Sequence, residues 1–476
     1  MAADKSLERQ AILTDPVGHY HTHHSQPSKR ASDDLIRLAE QRTQLQEQQA
    51  AGRLKTGQLS RQIGQAKQSG GSVEKLLSEM RLHSGQLKSV SQQLVEIEDA
   101  ILAYFSDVAA DDNSIHEATP GHTRKYRMGS ASVDAIHVSL NDTAADEWNR
   151  YVESTPAASL YHRAEWQSLV QNTFGHAGYY FCARNNDGQI SGVLPLVHLQ
   201  SRLFGSFLVS MPYFNYGGAV GDSPLVEQQL MQAAMKQAAK LGASHIEFRD
   251  DIVRDDLPVR TDKVNMILSL PDSPEELWKS FTPKLRAQVR RPQREAPQIL
   301  QGGAELLDDF YSVFSRNMRD LGTPVYGRNF FRNILKTFTQ ACCIVVIRLA
   351  GQPVAAAFLL GHRDTLEIPW ASSLREVNRL SMNMLLYHEA LTYALGQGYR
   401  HFDFGRSSRD SGTYRFKQQW GAQPRALYWH YWQANGDTLP SLNPDNPRYA
   451  LAIKIWQRLP LTVTTALGPL IVKNLP

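Results

Sequence analysis

The sequence is poor in cysteine and has no long apolar run. Three cysteines among 476 residues are too few for a disulfide scaffold, and Cys342 and Cys343 are adjacent in an apolar run typical of a buried strand. No run of about 18 apolar residues predicts a membrane span, and the first ten residues contain no signal-peptide core. We therefore expect a cytoplasmic protein.

An excess of one charge sign is also lacking. The formal net charge is +4, so any nucleic-acid role must come from local basic patches rather than from the whole molecule. No Ser-His-Asp order, Cys-His pair or zinc-ligand spacing is present. We therefore expect no covalent acyl-enzyme, no metal and no bound cofactor, and the length favours two or three domains.

The N-terminal part is polar and patterned. Residues 1–30 are predicted to be a disordered tail, and residues 108–132 a linker. Between them, residues 31–107 have Leu, Ile and Val at 3–4 spacing on both sides of a Ser-Gly-Gly-Ser breaker. This pattern predicts an antiparallel coiled-coil hairpin in which Arg42, Gln49, Gly52 and Thr56 occupy gaps in the apolar seam.

The end of this hairpin near the breaker is basic. No acidic residue occurs between Glu47 and Glu74, while four cations do: Arg53, Lys55, Arg61 and Lys67. They indicate either a solvated tip or a nucleic-acid contact. The segment around residues 63–67 resembles the N-terminal tRNA-binding arm of seryl-tRNA synthetases, which implies tRNA as a partner. No synthetase catalytic domain follows.

The rest of the chain contains an internal repeat. The stretch from Gly242 to Arg249 is mirrored 156 positions later by the stretch from Gly398 to Gly405, and similar strand and helix patterns precede both. A repeat this long indicates a duplicated domain. We predict two α/β (α+β) domains, at 133–270 and 271–435, and a C-terminal extension at 436–476.

After the repeat the two copies diverge, and the second continues with the segment from Phe402 to Pro424. Its "FGRSSRDSGTYRFKQQWGAQP" resembles the signature of FemAB-type proteins associated with exosortase/PEP-CTERM systems. Residues 159–170 and 278–295 fit the same family, and the resemblance extends from about residue 138 to the C-terminus. It implies two tandem GNAT-like domains that transfer an acyl or aminoacyl group to an amine. FemAB enzymes have a similar arm inserted in the second domain, whereas here the arm is N-terminal.

Three residues of this region are the catalytic candidates. By the resemblance, Lys417 contacts phosphate or the reacting carbonyl. Asp403 ends the last strand of the repeat and is either a general base or, like the matching Glu247, a brace for the fold. Tyr414 either positions a substrate or packs beside Phe416.

The predicted substrate-binding residues are mostly cations. Arg406 follows the strand end, and Arg415 shares a face with Lys417 in a strand but diverges from it in a helix. Six cations occur within 279–294 with no acid among them, and we expect them to bind an anion. The predicted set is Arg406, Arg415, Lys284, Arg286, Arg290 and, as a cleft aromatic, Tyr213.

The sequence therefore predicts a FemAB-like transferase that forms an amide on a cell-envelope or exopolysaccharide precursor. The acyl donor is either aminoacyl-tRNA or acyl-CoA. The run 375–384 lacks the glycines of a standard acetyl-CoA turn. An acyl-CoA-dependent N-acyltransferase and a non-catalytic scaffold protein are the alternatives. The C-terminal extension either packs on the body or makes a peripheral membrane contact. The oligomeric state is not predicted.

Overall fold

The structure of the protein, a computed structural model, describes residues 29–68, 73–108, 136–201, 204–254, 257–434 and 447–475. The chain forms two compact units, residues 1–118 and 119–476. The predicted tail lies outside the described residues except at its last two positions, and the predicted linker lies outside them except at residue 108.

Two long helices account for the described residues of the first unit: α1 (Lys29–Gln68) and α2 (Glu74–Val108). They run antiparallel, because Gln49 Nε2 donates to Ser91 Oγ at 3.0 Å and Gly52 lies against Leu87. Gln49 and Gly52 are two of the predicted gaps in the apolar seam, and Leu59 of the same seam is buried. At about 1.5 Å per residue the helices span roughly 60 and 50 Å. The helical hairpin is confirmed, and its coiled-coil winding stays a prediction.

Eight of the strands described in the second unit form a first sheet, in the order β1-β2-β3-β4-β6-β15-β7 with β5 paired to β3. Their bounds are β1 (His137–Leu140), β2 (Ala177–Arg184), β3 (Ile190–Ser201), β4 (Gly205–Val209), β5 (Val220–Gly221), β6 (His245–Asp250), β7 (Val259–Arg260) and β15 (Tyr428–Gln433). The pairing of β4 with β6 is parallel, and the other pairs are antiparallel.

Three of the described α-helices belong to this half: α3 (Ala145–Ser154), α4 (Glu165–Phe174) and α5 (Pro224–Lys240). Helix α5 begins where Ser223 accepts a hydrogen bond from the Val226 N–H and Pro224 occupies the first turn, which is a favoured helix start. Leu230 and Ala234 of α5 are fully buried in a core with the sheet. The helix therefore covers the sheet behind the parallel strand pair.

The second sheet has the order β14-β8-β13-β12-β11-β10-β9. Its strands are β8 (Lys263–Ser269), β9 (Gln298–Gly302), β10 (Cys342–Leu349), β11 (Gln352–His362), β12 (Thr365–Ser373), β13 (His401–Ser408) and β14 (Gln423–Ala426). Cys343 lies buried in β10 and Cys342 is partly buried there. Only β12 and β13 pair in parallel among the described strands of this sheet. The position of this pair matches that of β4 and β6 in the first sheet.

The two sheets exchange strands. Strand β8 lies before residue 270 but pairs with β13 and β14 of the second sheet. Strand β15 follows the second sheet in the chain but pairs with β6 and β7 of the first. The hydrogen-bonded sheets therefore cross the predicted boundary at residue 270, and the two halves are tied together by their backbones.

Helices cover the second sheet and extend beyond it to the C-terminus. They are α6 (Pro274–Ser280), α7 (Pro283–Gln293), α8 (Leu307–Leu321), α9 (Arg328–Thr337), α10 (Met382–Gly396), α11 (Gly412–Gln418), α12 (Pro447–Trp456) and α13 (Leu461–Val472). One large core joins α8, α9 and α10 to the second sheet and continues into the first half at Trp166 and Phe214. The predicted fold class is confirmed: an α/β body with two related sheets, preceded by a helical hairpin.

Candidate active site

The site forms where strands β12 and β13 separate. They pair only at three positions, of which the last joins Glu367 to Asp403. Beyond this point β13 stays paired with β8, and its register shifts between Asp403 and Arg406. The carboxyl ends of parallel strands that diverge leave a crevice in which α/β proteins commonly bind ligands. Two acidic side chains therefore lie at the apex of the crevice.

Asp403 is buried and has its oxygen atoms occupied. Oδ1 accepts from the Gly405 N–H at 2.6 Å, and Oδ2 accepts from Tyr216 Oη at 3.0 Å and Asn265 Nδ2 at 2.8 Å. Burial raises the pKa of Asp403 above its ordinary value, although these donors favour the ionised form. With three donors on one carboxylate, Asp403 braces the turn at Gly405.

Gly405 is required at this turn for conformational reasons. Its φ is +73°, a left-handed conformation in which a side chain is strained. This conformation aims the Gly405 N–H at Asp403 and its carbonyl at Lys417. The glycine thus connects the acid at the strand end to the predicted catalytic lysine.

Glu367 was not among the sequence-predicted site residues. It is buried, and its Oε2 accepts from Tyr161 Oη at 2.5 Å. Burial, together with the nearby charge of Asp403, raises the pKa of Glu367 to about 8. The available signal was a single acid in the apolar strand "TLEIPWAS", but only the register of β12 with β13 places it beside Asp403.

Lys417 enters the site from α11. The helix begins at Ser411, whose Oγ accepts from the Tyr414 N–H. Lys417 is buried, and its Nζ donates to the carbonyls of Gly405 and Arg406, each at 2.9 Å. Burial lowers the pKa of Lys417 to about 8. An ammonium has three N–H donors, so one remains for a substrate oxygen.

The neighbours of Lys417 on α11 point elsewhere. Because the segment is helical, Arg415 diverges from Lys417 and is exposed. Tyr414 is half-buried against the large core, with Phe416 alongside. The placement of Tyr414 matches the packing alternative, and the structure does not bring Arg415 to the acid pair.

Arg406 supplies an exposed cation at the same turn. Its Cζ lies 4.7 Å from the centre of the Trp429 ring, and the buried Arg249 lies 4.4 Å from the same ring. Among the described residues Arg406 has no ion-pair partner, whereas Arg249 is paired with Glu247 at 2.7 Å. An exposed guanidinium beside a buried one favours an anion, and the anion-binding role of Arg406 stays a prediction.

The loop after β4 closes the apex from the first half of the chain. Tyr216 contacts Asp403, and Asn215 Nδ2 lies 3.5 Å from Glu367 Oε1. Tyr213, predicted to bind substrate, instead donates from Oη to the carbonyl of Lys473 at 2.7 Å. The loop therefore connects the acid pair to the C-terminal helices, and Tyr213 holds the helix end rather than lining an open cleft.

The cation run of 279–294 lies on α6, on α7 and at the residue that follows α7, and none of its side chains hydrogen-bonds to the acid pair. Lys284 and Arg290 are exposed and Arg286 is partly exposed, as is typical of a solvated face. Arg290 lies 5.1 Å from the centre of the Trp278 ring. None of the six cations has an ion-pair partner in the described part of the chain, so the run remains available to an anion.

The predicted nucleic-acid contacts lie on α1. Lys55 is exposed there. The side chains of Arg53, Arg61 and Lys67 lie outside the described residues. Within the described ranges, no group of three or more His, Cys, Asp or Glu side chains is placed to hold a metal. No described helix is long and apolar enough to cross a membrane.

Two family models match separate parts of the chain. Residues 283–418, which contain Glu367, Asp403 and Lys417, match the acetyltransferase (GNAT) domain. Residues 22–109 match the seryl-tRNA synthetase N-terminal domain. The chain thus carries a GNAT domain match around its acid pair, and this supports an acyltransferase activity. No curated protein matches the chain.

Solved structures with low identity resemble the body. FemX is 14% identical, with a TM-score of 0.49 over 66% of this chain and 100% of FemX. A tandem GNAT protein from the clavulanic acid biosynthesis pathway is 11% identical, with a TM-score of 0.41 over 64% of this chain and all of that one. The C-terminal domain of a putative lysylphosphatidylglycerol synthetase from Agrobacterium fabrum is 13% identical, with a TM-score of 0.42 over 61% and 92%.

Proposed function

We propose that this chain is an aminoacyl or acyl transferase that forms an amide on an amine of a cell-envelope or exopolysaccharide precursor. The observation that carries the proposal is the grouping of Lys417, Glu367 and Asp403 where β12 and β13 diverge. The GNAT match over the same residues supports it. The FemAB-type signature of the sequence supports the class of acceptor.

Amide formation from an activated ester or thioester needs a proton acceptor and a group that stabilises an oxyanion. In the proposed reaction the acceptor nitrogen attacks the donor carbonyl, and Glu367 takes the proton that the nitrogen loses. The remaining N–H of Lys417 stabilises the oxyanion. When the C–O or C–S bond breaks, the leaving oxygen or sulfur receives the proton from Glu367. Asp403 positions Gly405 and keeps Lys417 charged.

Arg406 is assigned to the substrate's anionic group. It is exposed and lacks an ion-pair partner in the described ranges, and its backbone carbonyl is one of the two that hold Lys417. A phosphate or carboxylate bound there would lie at the turn whose carbonyls hold the catalytic lysine. Bidentate recognition of such groups is the usual role of a guanidinium.

Aminoacyl-tRNA is the donor that we propose first. The match of residues 22–109 to the seryl-tRNA synthetase N-terminal domain supports it, as do the exposed Lys55 and the unpaired cation run on α6 and α7. Phosphate contacts from such cations supply most of the affinity for a nucleic acid. The oligomeric state stays open.

Acyl-CoA is the second candidate donor, and the match of 283–418 to an acetyltransferase domain favours it. A non-catalytic scaffold protein is the third possibility. The experiment is filter binding of bulk aminoacyl-tRNA beside calorimetry with acetyl-CoA, followed by donor turnover. Retention of the charged tRNA and release of its amino acid supports the first donor, and heat with acetyl-CoA supports the second. Binding of neither, with no turnover, overturns the transferase in favour of the scaffold.

A further inference from the structure

The C-terminal helices carry charge of one sign only. Residues 447–475 contain four cations and no acidic residue. Lys454 of α12 and Arg458 in the turn after it are exposed, and Lys473 follows α13 and is partly exposed. A segment of this charge repels cations and attracts a polyanionic surface.

The same segment exposes large apolar side chains. Of the nine large hydrophobic residues exposed in the described part of the chain, three lie on α12 and α13 and a fourth ends the neighbouring α8. They are Ile455 at 53%, Leu467 at 44%, Leu470 at 60% and Leu321 at 56% exposure. Residues three apart share a helix face, so Leu467 and Leu470 lie together.

Cations also lie beside these apolar groups. Lys454 and Ile455 are adjacent on α12, and Arg458 lies in the turn directly after the helix, where its N–H donates to the carbonyl of Ile455 at 3.0 Å. Exposed apolar side chains flanked by basic ones suit a membrane interface, because the apolar groups enter it while the cations stay at the level of the head groups. We call the surface formed by these residues, with Leu467 and Leu470 of α13, the C-terminal face.

The opposite sides of the two helices hold the segment on the body. Ile453 lies against Gly322, and Gln457 Nε2 donates to the carbonyl of Asp320 at 3.2 Å. Gly468 of α13 lies directly against the backbone of Val325. The segment therefore packs onto the body, which is one of the two alternatives that the sequence left open. The C-terminal face stays exposed because the body contacts the other side of the helices.

A cleft of about 490 Å³ opens beside this face. Its walls combine apolar groups such as Leu470, Pro469 and Phe330 with Arg328 and Lys473. Arg328 is paired with Asp308, so Lys473 is the lining cation without an ion-pair partner among the described residues, and together with the apolar walls it suits an amphiphile that has an anionic head group. The cleft therefore extends the chemistry of the C-terminal face toward lipid rather than toward a purely apolar partner.

We propose that the C-terminal face docks on the surface of a membrane that contains anionic phospholipid. The exposed leucines and Ile455 enter the interface, and Lys454 and Arg458 contact head-group phosphates. Each basic residue near an anionic leaflet strengthens binding, and this contribution falls as salt screens it. The proposal rests on this face alone and holds for either acyl donor.

The test is co-sedimentation of the full-length chain with vesicles. One set is phosphatidylcholine alone, and the other is an equal mixture of phosphatidylcholine and phosphatidylglycerol. We expect binding to the mixed vesicles that weakens as salt is added, and at least tenfold weaker binding to phosphatidylcholine alone. Binding that is absent, or equal for both vesicles, overturns the proposal.

Two variants and a matched control locate the contact. The double change Leu467→Ser and Leu470→Ser, and separately Lys454→Gln with Arg458→Gln, should each reduce binding to mixed vesicles at least tenfold. Leu225→Ser removes a side chain of similar exposure, 43%, on α5, and should bind normally. Circular dichroism checks that each variant is folded. Equal binding by all variants places the contact elsewhere and overturns the proposal.

A second copy of the chain is the competing occupant. Sedimentation velocity without lipid distinguishes it. If the chain forms a dimer that the leucine variant dissociates, and no vesicles bind, the face is a self-association surface and the membrane proposal is wrong. Lys417→Met should lose amide-forming activity but still bind vesicles. The membrane proposal and the proposed transferase function can therefore fail independently of each other.

Discussion

Equivalent strand positions carry an acid in both halves of the body, in opposite surroundings. In the first half Glu247 is buried beside Arg249, whose guanidinium lies 2.7 Å away, and Tyr431 Oη donates to it at 2.7 Å. Burial opposes its ionisation, but these partners outweigh burial and the pKa of Glu247 is lowered. In the second half the place of Arg249 is taken by Gly405, and burial raises the pKa of Asp403.

The residue paired with each acid on the neighbouring parallel strand also differs between the two halves. Val209 pairs with Glu247 in the first sheet, whereas Glu367 pairs with Asp403 in the second. One half therefore has a compensated acid next to an apolar residue, and the other has two acids without a guanidinium between them. A buried acid that contacts a guanidinium stays ionised, while two neighbouring buried acids that no guanidinium contacts can hold a proton near neutral pH, which is what acid–base chemistry needs.

The largest effect is expected from removing the compensation in the first half. Arg249→Gln leaves Glu247 buried without its cation and should lower the free energy of unfolding by about 3–5 kcal/mol in urea titrations. The double change with Glu247→Gln should recover part of the loss. A loss below about 1 kcal/mol would mean that Glu247 and Arg249 behave like an exposed ion pair. The contrast drawn between Glu247 and Asp403 would then be wrong.

In the second half, Lys417→Met should lower kcat by about 10²- to 10³-fold, as expected when an oxyanion donor is lost. The methionine keeps most of the buried stem, so the far-UV spectrum and the melting temperature should change little. Gln418→Ala, an exposed neighbour on α11, is the matched control and should retain full activity. Full activity of Lys417→Met would remove Lys417 from the site.

Glu367→Gln should lower kcat by about 100-fold and remove the acid limb of the pH profile. In the wild type this limb lies near pH 8, and the alkaline limb is set by Lys417, whose pKa is also about 8. We therefore expect wild-type activity to peak near pH 8. An unchanged acid limb in the variant would assign it to another group.

The raised pKa of Glu367 also determines the direction in which stability changes with pH. The native pKa of Glu367 is raised from 4.5 to about 8, so between these values the native state holds a proton that the unfolded state has released. The free energy of unfolding should therefore fall as pH rises through this range. Glu367→Gln should flatten that slope in urea titrations at pH 5, 6.5 and 8. A parallel slope in both proteins would contradict the assignment.

The smallest effect is expected at the exposed cations. Arg406→Gln should raise KM for the anionic substrate about tenfold, with kcat nearly unchanged, since one charge-assisted contact is worth about 1.5–3 kcal/mol at most. Arg415→Gln, a similar change on the exposed side of α11, tests the remaining predicted contact. Equal KM increases for the two variants would show that the anion spans both positions.

Much of the fold followed from local patterns. The 3–4 spacing on both sides of a breaker predicted the hairpin of α1 and α2, and the repeat aligned β6 with β13. The exchange of β8 and β15 between sheets was not predicted, because strand pairing joins residues far apart in the chain and leaves no local signature. For the same reason the sequence located Asp403 but not its partner Glu367.

The sequence by itself determined the duplicated strand end, the divergence after it, and a lysine in the exit segment. Those are properties of residue order. Only the tertiary structure decided that α11 is helical and so separates Arg415 from Lys417, and that Tyr213 donates a hydrogen bond to the end of the C-terminal helix. It also decided that Glu367 is a proton-holding acid, because burial and a neighbouring charge, which set a pKa, depend on what lies nearby in space.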